Sequence, residues 1–326
     1  MQELTVTSRE AGQRLDKYLA RYLSEAPKSF LYKMMRKKNI TLNGKKCEGS
    51  EKLAAGDAVR LYFSEETLEK FRGKTGAGKA GGRRLAERFA GGIIYEDSHI
   101  ILFNKPAGLL SQKAAPEDVS AVEWALAYLQ DKGELSDEDY QRFHPSVCNR
   151  LDRNTSGLLL IGKTMAGLQA MSAVLKDRSL HKDYLCLTAG QVKEPCHVKG
   201  YLSKNEKTNQ VRVTAEPEGD ARPIETWYTP EAYAGGVTKL RVRLVTGRSH
   251  QIRAHLAYLG HPIIGDGKYG DSRVNEIWRR RLGVRHQLLH AWKLTFPQME
   301  GELAALSGRE FTAPEPEIFA KVMGRV

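Results

Sequence analysis

The sequence lacks the features that would place the chain in a membrane or outside the cell. No stretch approaches the ~18 uncharged apolar residues that a membrane span needs. The first residues carry no basic segment followed by an apolar one, as a signal peptide would. The four cysteines are scattered and form no C-x-x-C pair, which argues against zinc and against a disulfide framework. We expect a cytoplasmic protein with reduced thiols and no metal.

Acidic residues are in the minority. Lys and Arg number 51 against 39 Asp and Glu, which gives a net charge of +12 over 326 residues. Such a surplus favours a polyanionic partner, because basic side chains release condensed counterions from a phosphate backbone. A soluble protein that is merely basic is the alternative. The length suits one large domain and one small one.

Residues 1–63 are predicted to form the small domain. Apolar residues recur at helical spacing over residues 14–23, and a second helix is expected to follow with Ser29 as its N-cap. The pair Asn43-Gly44 is typical of a β-hairpin turn. An alternating strand at 58–63 then closes the unit.

This arrangement resembles the S4-type RNA-binding domain, in which two short helices lead into a small sheet. Basic residues lie on the second helix and on the hairpin. The resemblance implies RNA binding, and the alternative is a solvated helix face with no partner. The side chains of this unit that are predicted to contact RNA are Lys33, Arg36, Lys37 and Lys45.

Residues 64–91 and 92–326 differ in character. The first range is Gly-rich, basic and poor in aliphatic residues, which predicts a flexible linker. In the second range strand-like runs alternate with helices. The predicted strands are at 100–103, 158–161 and 240–245, and the predicted helices are at 120–130, 165–176 and 249–259.

Two segments match the phosphate-binding loop of nucleotide hydrolases in part. Residues 157–164 satisfy G-x-x-x-x-G-K-[ST], but the intervening Leu158-Leu-Leu-Ile161 is apolar and is predicted to form a buried strand. Residues 73–80 have the required flexibility, but Ala80 replaces the hydroxyl that would bind Mg²⁺. Neither segment therefore predicts nucleotide hydrolysis.

A dense polar segment at 149–157 directly precedes the buried strand. An isolated Asp152 there would ordinarily be a turn residue that bonds nearby backbone N–H groups. A second segment, 246–256, leaves a strand through a glycine turn and enters a helix that Ser249 is expected to cap. Arg253 near this helix start is unfavourable for the helix dipole unless it answers an acid from elsewhere, and Asp152 is the natural candidate. A solvated arginine is the alternative.

These segments together resemble the RluA-type family of rRNA and tRNA pseudouridine synthases. The motif R-L-D-x-x-T-S-G is intact at Arg150–Gly157, and T-G-R-[ST]-H-Q-I-R is intact at Thr246–Arg253. The resemblance covers residues 92–297, and the S4-type unit is the usual companion of the ribosomal branch. One departure is Asn149, where histidine is common. The resemblance implies an α+β fold with a large mixed, mainly antiparallel sheet and flanking helices.

The resemblance also implies a reaction and a set of site residues. Uridine is isomerised in place, so no cofactor is required. Asp152 is the catalytic carboxylate, acting at C1′ of the ribose, at C6 of the base, or by assisting loss of the uracil. Arg253 would hold Asp152 ionised. Tyr184 would hold the detached uracil and help to move the C5 proton, although a tyrosine in a strand is ordinarily core packing.

The remaining predicted contacts involve the RNA. Arg150 is predicted to enter the space of a flipped uridine, and a phosphate contact or a salt bridge is the alternative. Leu289 is predicted to line the uracil pocket. The other predicted RNA contacts of the large domain are Lys105, Arg248, His250 and Lys268. The expected substrate is large-subunit rRNA, with tRNA as an alternative, and a monomer without a protein partner is expected. A non-catalytic RNA-binding factor is the competing hypothesis.

Overall fold

The computed structural model describes residues 1–73 and 82–324. The chain divides into two compact units. The first unit comprises Met1–Ile101, Asp118–Cys148 and Leu160–Ser172, and the second comprises Leu102–Glu117, Asn149–Leu159 and the chain from Ala173 onward. 

The strands are β1 (Gln2–Thr5), β2 (Ile40–Leu42), β3 (Lys45–Lys46), β4 (Ala58–Leu61), β5 (Ile93–Glu96), β6 (Ile100–Lys105), β7 (Ser146–Val147), β8 (Ser156–Gly162), β9 (His181–Ala189), β10 (Cys196–Asn205), β11 (Gln210–Thr214), β12 (Arg222–Ala234), β13 (Val237–Leu244), β14 (Leu289–Thr295) and β15 (Glu310–Thr312). The helices are α1 (Leu15–Tyr22), α2 (Lys28–Arg36), α3 (Glu65–Phe71), α4 (Gly82–Ala90), α5 (Ala121–Asp131), α6 (Asp137–Arg142), α7 (Met165–Lys176), α8 (Gln251–Tyr258), α9 (Ser272–Leu282) and α10 (Glu317–Val322), with a 3₁₀ helix at Gly301–Leu306.

Two sheets organise residues 1–73 and 82–324. One has four strands in the order β1-β4-β2-β3, and the other has eleven, in the order β11-β10-β12-β13-β9-β14-β8-β6-β5 with β15 beside β14 and β7 beside β8. Most of the large sheet is antiparallel, because consecutive strands such as β10–β11 and β12–β13 are joined by short turns. The expected α+β fold with a large, mainly antiparallel sheet is confirmed.

The four-stranded sheet and helices α1 and α2 share one apolar core within the first unit. Asn43 and Gly44 have φ values of 52° and 74°, which is the pair of left-handed residues that a tight hairpin turn needs, as predicted. The expected capping role of Ser29 is wrong. Helix α2 begins at Lys28 with Pro27 at its N-cap, and no side chain caps it. Pro27 has a ψ of 139°, which is not helical, so the helix begins at the residue after it.

The described parts of the predicted linker are mostly helical. Helix α3 is capped by Ser64, whose hydroxyl accepts the N–H of Thr67 at 3.3 Å, and acids fill its first turn as the helix dipole favours. Helix α4 buries Ala86 and Phe89. The prediction of a flexible connection is therefore wrong for these two segments, and its glycine-rich part at 74–81 lies outside the described residues.

The phosphate-loop match at 157–164 is a buried strand, as predicted. Its four aliphatic residues lie within β8 and have no solvent exposure. Lys163 does not face a ligand, because its ammonium lies 2.6 Å from Glu96 and 2.7 Å from Glu134 within the first unit. Both the apolar strand and the occupied lysine are incompatible with a phosphate cradle.

Gly157 permits a close approach of two strands in the second unit. It has a φ of 104° and pairs in parallel with Ala291 of β14. A Cβ atom at Gly157 would lie 2.2 Å from the carbonyl oxygen of Ala291, so only glycine fits. The next pair along, Ser156 and His290, is joined by a side-chain hydrogen bond of 2.8 Å. The last residue of the first motif is therefore required by the fold.

Helix α7 has the predicted bounds, and α5 follows Ser120, which caps it in a capping box. No helix among the described residues is both long enough and apolar enough to cross a membrane.

Candidate active site

The segment that carries Asp152 is fixed through its backbone. The Ser111 hydroxyl accepts the N–H of Leu151 at 3.0 Å and donates to the Leu151 carbonyl at 2.9 Å. Gly108 N–H donates to the carbonyl of Arg153 at 2.9 Å. The residues on both sides of Asp152 are thus held by one loop of the second unit, which leaves its side chain to be oriented by contacts of its own.

Lys105 is buried and holds the same loop. It has no solvent exposure, and its ammonium donates to the carbonyls of Pro106, Leu109 and Arg153 at 2.8–3.0 Å. Burial lowers the pKa of Lys105 to about 7, and the charge of Asp152 acts in the opposite direction. The predicted RNA contact is therefore wrong, because three carbonyl acceptors occupy the three N–H donors away from solvent.

Asp152 is paired with Arg253, as the sequence predicts. Nη1 of Arg253 lies 2.7 Å from Oδ2 of Asp152, whose side chain is 26% exposed. The other side of the guanidinium is held by Asp266, with Nε to Oδ2 at 2.6 Å and Nη2 to Oδ1 at 2.8 Å. This fork-to-fork contact fixes the plane of the guanidinium. Arg253 is thus a rigid link between one buried acid and one partly exposed acid.

The charges of this triad support one another. Burial acts to lower the pKa of Arg253, but Asp266 and Asp152 raise it above its ordinary value. Burial acts to raise the pKa of Asp266, but Arg253 and the backbone N–H groups of Lys268 and Tyr269 lower it. Arg253 and Asp266 are therefore both charged at neutral pH, and the Arg253 cation stands beside Asp152.

The helix that carries Arg253 begins in an unexpected way. The predicted cap, Ser249, is wrong, because the N-cap is His250 in a left-handed conformation and no side chain caps the helix there. The buried Gln251 holds the turn instead. Its Oε1 accepts the N–H of Arg248 at 3.1 Å and the hydroxyl of Thr246 at 2.8 Å. This places Arg253 in the first turn of α8, where it contacts Asp152.

Tyr184 lies in β9 beside this triad and is 7% exposed. Burial, with a contribution from Asp152, raises the pKa of the phenol above its ordinary value. The phenol is therefore neutral and retains its proton at physiological pH. Leu289 shares this face of the sheet, because Leu289 pairs with Cys186 while Ala291 pairs with Tyr184.

The other predicted RNA contacts of the second unit differ in accessibility. Arg150 and Arg248 are exposed. Lys268 is exposed, although its ammonium donates to the carbonyl of Asn209 at 3.0 Å. His250 is largely buried and contacts Tyr269. In the first unit, the predicted contacts Lys33, Arg36, Lys37 and Lys45 are all exposed. Within the described parts of the chain, no cluster of three or more His, Cys, Asp or Glu side chains is arranged to hold a metal ion.

Known proteins resemble this chain over most of its length. A family model described as RNA pseudouridylate synthase matches residues 99–258, and one described as S4 domain matches residues 13–59. Ribosomal large subunit pseudouridine synthase C of Vibrio vulnificus is 34% identical over 314 residues, which cover 96% of this chain and 92% of that protein. The chain belongs to the RNA pseudouridylate synthase family.

A second relative and a solved structure are also similar to this chain. The protein of the same name from Escherichia coli K12 is 32% identical over 303 residues, which cover 90% of this chain and 88% of that protein. The solved structure of human RNA Pseudouridylate Synthase Domain Containing 4 matches with a TM-score of 0.60 at 19% identity, covering 75% of this chain and 96% of the human one. That likeness concerns the fold alone. The chain is thus a pseudouridine synthase with an RNA substrate and an S4 domain, as the sequence motifs predict.

Three residues of the synthase site escape sequence reasoning. Asp266 and Tyr269 contact the predicted site residues Arg253 and His250, and Ser111 bonds Leu151 next to Asp152. All three lie within the range of the resemblance but outside its two motifs. A signal for Asp266 is its position between two glycines, Gly265 and Gly267, where backbone can approach a carboxylate. Ser111 has no comparable signal, because its partner Leu151 is 40 residues away in the sequence.

Because Lys105 is buried in this synthase, its substitution is expected to reduce stability without affecting the contacts with RNA. Lys105→Met is expected to lower the free energy of unfolding by about 3 kcal/mol, because three buried carbonyls lose their donor. The slope of log affinity for RNA against log salt concentration should be unchanged. The exposed Arg248 is the control, since Arg248→Ala is expected to reduce that slope by roughly 0.7–0.9. A reduced slope in the Lys105 variant would restore the original RNA-contact prediction.

Proposed function

We propose that this synthase modifies uridines of large-subunit rRNA and that Asp152 is its catalytic carboxylate. The observation that supports the role of Asp152 most directly is its 2.7 Å contact with Arg253, which Asp266 fixes from the other side. A carboxylate that must act covalently has to be ionised and partly accessible. Two observations support this role for Asp152: a cation lies beside it, and its side chain is 26% exposed.

The reaction is an isomerisation in which atoms balance without any added group. The N1–C1′ bond of uridine breaks, a C5–C1′ bond forms, and the proton displaced from C5 is matched by one gained at N1. Asp152 assists by attack at C1′, by attack at C6, or by stabilising the ribose as the uracil departs. In each case its Oδ1 is the available oxygen, since Arg253 engages Oδ2.

The free uracil must remain in the site while it turns. Tyr184 is suited to this role, because its ring lies in a rigid strand beside Asp152 and its phenol is neutral. A neutral phenol can stack against the base and can exchange a proton with it. Leu289, on the same face of the sheet, completes an apolar wall for the base.

The target uridine must leave its own stack before it reaches Asp152, at a cost of a few kcal/mol. Arg150 precedes Asp152 by two residues and is exposed. A planar guanidinium can fill the space that a base has left. We therefore assign Arg150 to support of the flipped uridine.

The S4 domain supplies the second contact with RNA in this proposal. The predicted cations of residues 1–63 are all exposed: Lys33 and Arg36 lie on α2, Lys37 is its C-cap, and Lys45 lies on β3. Such cations bind phosphate by counterion release, which depends little on sequence. Relatives that align with 90–96% of this chain are named for the large ribosomal subunit, which supports that RNA as the substrate.

The test is mapping of pseudouridine in unmodified transcripts of large-subunit rRNA, small-subunit rRNA and tRNA after incubation with the full chain. Conversion of defined uridines in large-subunit rRNA is expected. Conversion in tRNA alone would contradict the proposed substrate, and RNA binding without any conversion would favour a non-catalytic factor. In the same assay, the combined variant Lys33→Ala, Arg36→Ala, Lys37→Ala should raise KM with little change in kcat.

A further inference from the structure

His250 stands between Asp152 and Tyr269. Its Nε2 lies 4.0 Å from Oδ1 of Asp152, the oxygen that Arg253 leaves open. Its Nδ1 lies 2.8 Å from the phenol oxygen of Tyr269. The ring is largely buried, with 12% of the side chain exposed. The two ring nitrogens therefore face different partners. On a neutral imidazole, the position of the single proton decides whether an N–H or a lone pair faces Asp152.

The Tyr269 phenol determines that position. A phenol has one hydrogen to donate and lone pairs with which to accept. The backbone N–H of Val211 in β11 donates to the Tyr269 oxygen at 2.9 Å, so the phenol is already an acceptor. Among the residues that the structure describes, Nδ1 of His250 is the group placed to receive the phenol hydrogen. An Nδ1 that accepts carries no proton, and the imidazole proton is then on Nε2.

The surroundings of His250 keep the ring neutral. Burial lowers the pKa of His250, Arg253 and Lys268 lower it further, and Asp152 and Asp266 act in the opposite direction. The phenol of Tyr269 is also neutral, because burial raises its pKa. At physiological pH the pair is therefore an uncharged hydroxyl and an uncharged imidazole, for which the tautomer is defined.

We propose that Tyr269 fixes His250 in the tautomer with hydrogen on Nε2, so that a neutral N–H faces the open oxygen of Asp152. Tyr269 and His250 are then positioning residues of the synthase. At 4.0 Å the N–H does not bond to Asp152 directly. It favours the rotamer in which Oδ1 points toward it and supports negative charge on that oxygen, while Arg253 holds Oδ2.

The β10–β11 hairpin becomes part of the catalytic arrangement in this proposal. Val211 supplies the N–H that turns the Tyr269 phenol toward His250, and its side chain packs in one cluster with Ala254 of α8. The ring of Tyr269 also lies 5.2 Å from the guanidinium carbon of Arg253, a cation–π distance. One tyrosine thus touches both groups that flank Asp152.

The tautomer can be measured without turnover. The full chain is labelled with ¹⁵N-histidine, and the His250 signals are identified by their loss in His250→Gln. A protonated Nε2 and an unprotonated Nδ1 are expected in the wild type. In Tyr269→Phe the signals should move toward a mixture of tautomers. A wild-type His250 with its proton on Nδ1, or a doubly protonated ring at neutral pH, would overturn the proposal.

Activity gives the second readout, which rests on the proposed role of Asp152. Tyr269→Phe is expected to lower kcat about 10-fold with little change in KM. His250→Gln places an amide N–H near the Nε2 position, whereas His250→Asn reaches only the Nδ1 position but suits the left-handed φ of 54°. The Gln variant should therefore be the more active. A more active Asn variant would mean that His250 serves only to adopt the left-handed backbone conformation, and this would contradict the proposal. An inactive wild type with the expected tautomer would instead count against the proposed function.

Discussion

Asp152→Asn is expected to reduce pseudouridine formation by roughly 10³-fold or more while leaving RNA affinity nearly unchanged. Asparagine has the same shape and can still accept the hydrogen bond from Arg253, but it lacks the charge and the nucleophilicity of the carboxylate. The measurement is the single-turnover rate on an rRNA transcript, together with the Kd of the same RNA.

Asp183 provides a matched control for this substitution. It is a buried acid next to Tyr184 in β9, and it pairs with the guanidinium of Arg243 at 3.1 Å. Because strand residues alternate between faces, Asp183 points away from Tyr184 and the site. Asp183→Asn should keep the rate within a few-fold of the wild type. Substantial activity in the Asp152 variant would contradict the assignment of the carboxylate.

Arg253→Met is expected to impair both folding and catalysis. Removal of the guanidinium leaves Asp266 without its bidentate partner at 1% exposure, which costs about 3–5 kcal/mol of unfolding free energy. Asp152 loses its adjacent cation at the same time, so the single-turnover rate of pseudouridine formation should also fall. Chemical denaturation and the single-turnover rate are the two measurements.

A double variant separates these two effects. Adding Asp266→Asn to Arg253→Met removes the unpaired buried charge but keeps an acceptor for the backbone N–H groups of Lys268 and Tyr269, and most of the lost stability should return. Activity should not return, because Asp152 still has no cation beside it. Recovery of activity in the stable double variant would mean that Arg253 serves only the fold.

The contact between Asp152 and Arg253 could be predicted from the sequence, because each residue is unusual for its local position. An acid stands directly before a buried strand, and an arginine stands at the wrong end of a helix for its dipole. Because the two unusually placed residues have opposite charges, they are predicted to form an ion pair. In the structure Nη1 of Arg253 lies 2.7 Å from Oδ2 of Asp152. Asp266 could not be predicted in this way, because it lies in a glycine-containing turn, where acidic residues are common.

Lys105 shows why some site predictions fail. A lysine near glycine in a turn is usually exposed, and nothing in the local sequence indicates otherwise. Its burial arises because the carbonyl of Arg153, 48 residues away, completes a set of three acceptors. Ser249 fails for a related reason. The turn before α8 is held by the side chain of Gln251, so a hydroxyl cap has no role there. Long-range acceptors and competing side chains are outside the reach of local patterns.

The parallel pairing of β8 with β14 has a consequence for when the enzyme becomes active. Ser156 and His290 are 134 residues apart, and Asp152 and Arg253 are 101 apart. A chain that is still being synthesised therefore contains both motifs well before it contains the strand that closes beside Gly157. Contacts at such separations form late in folding because the intervening loop must first be closed. The β8 strand that follows Asp152 is therefore completed only after β14 has been synthesised and has paired with it.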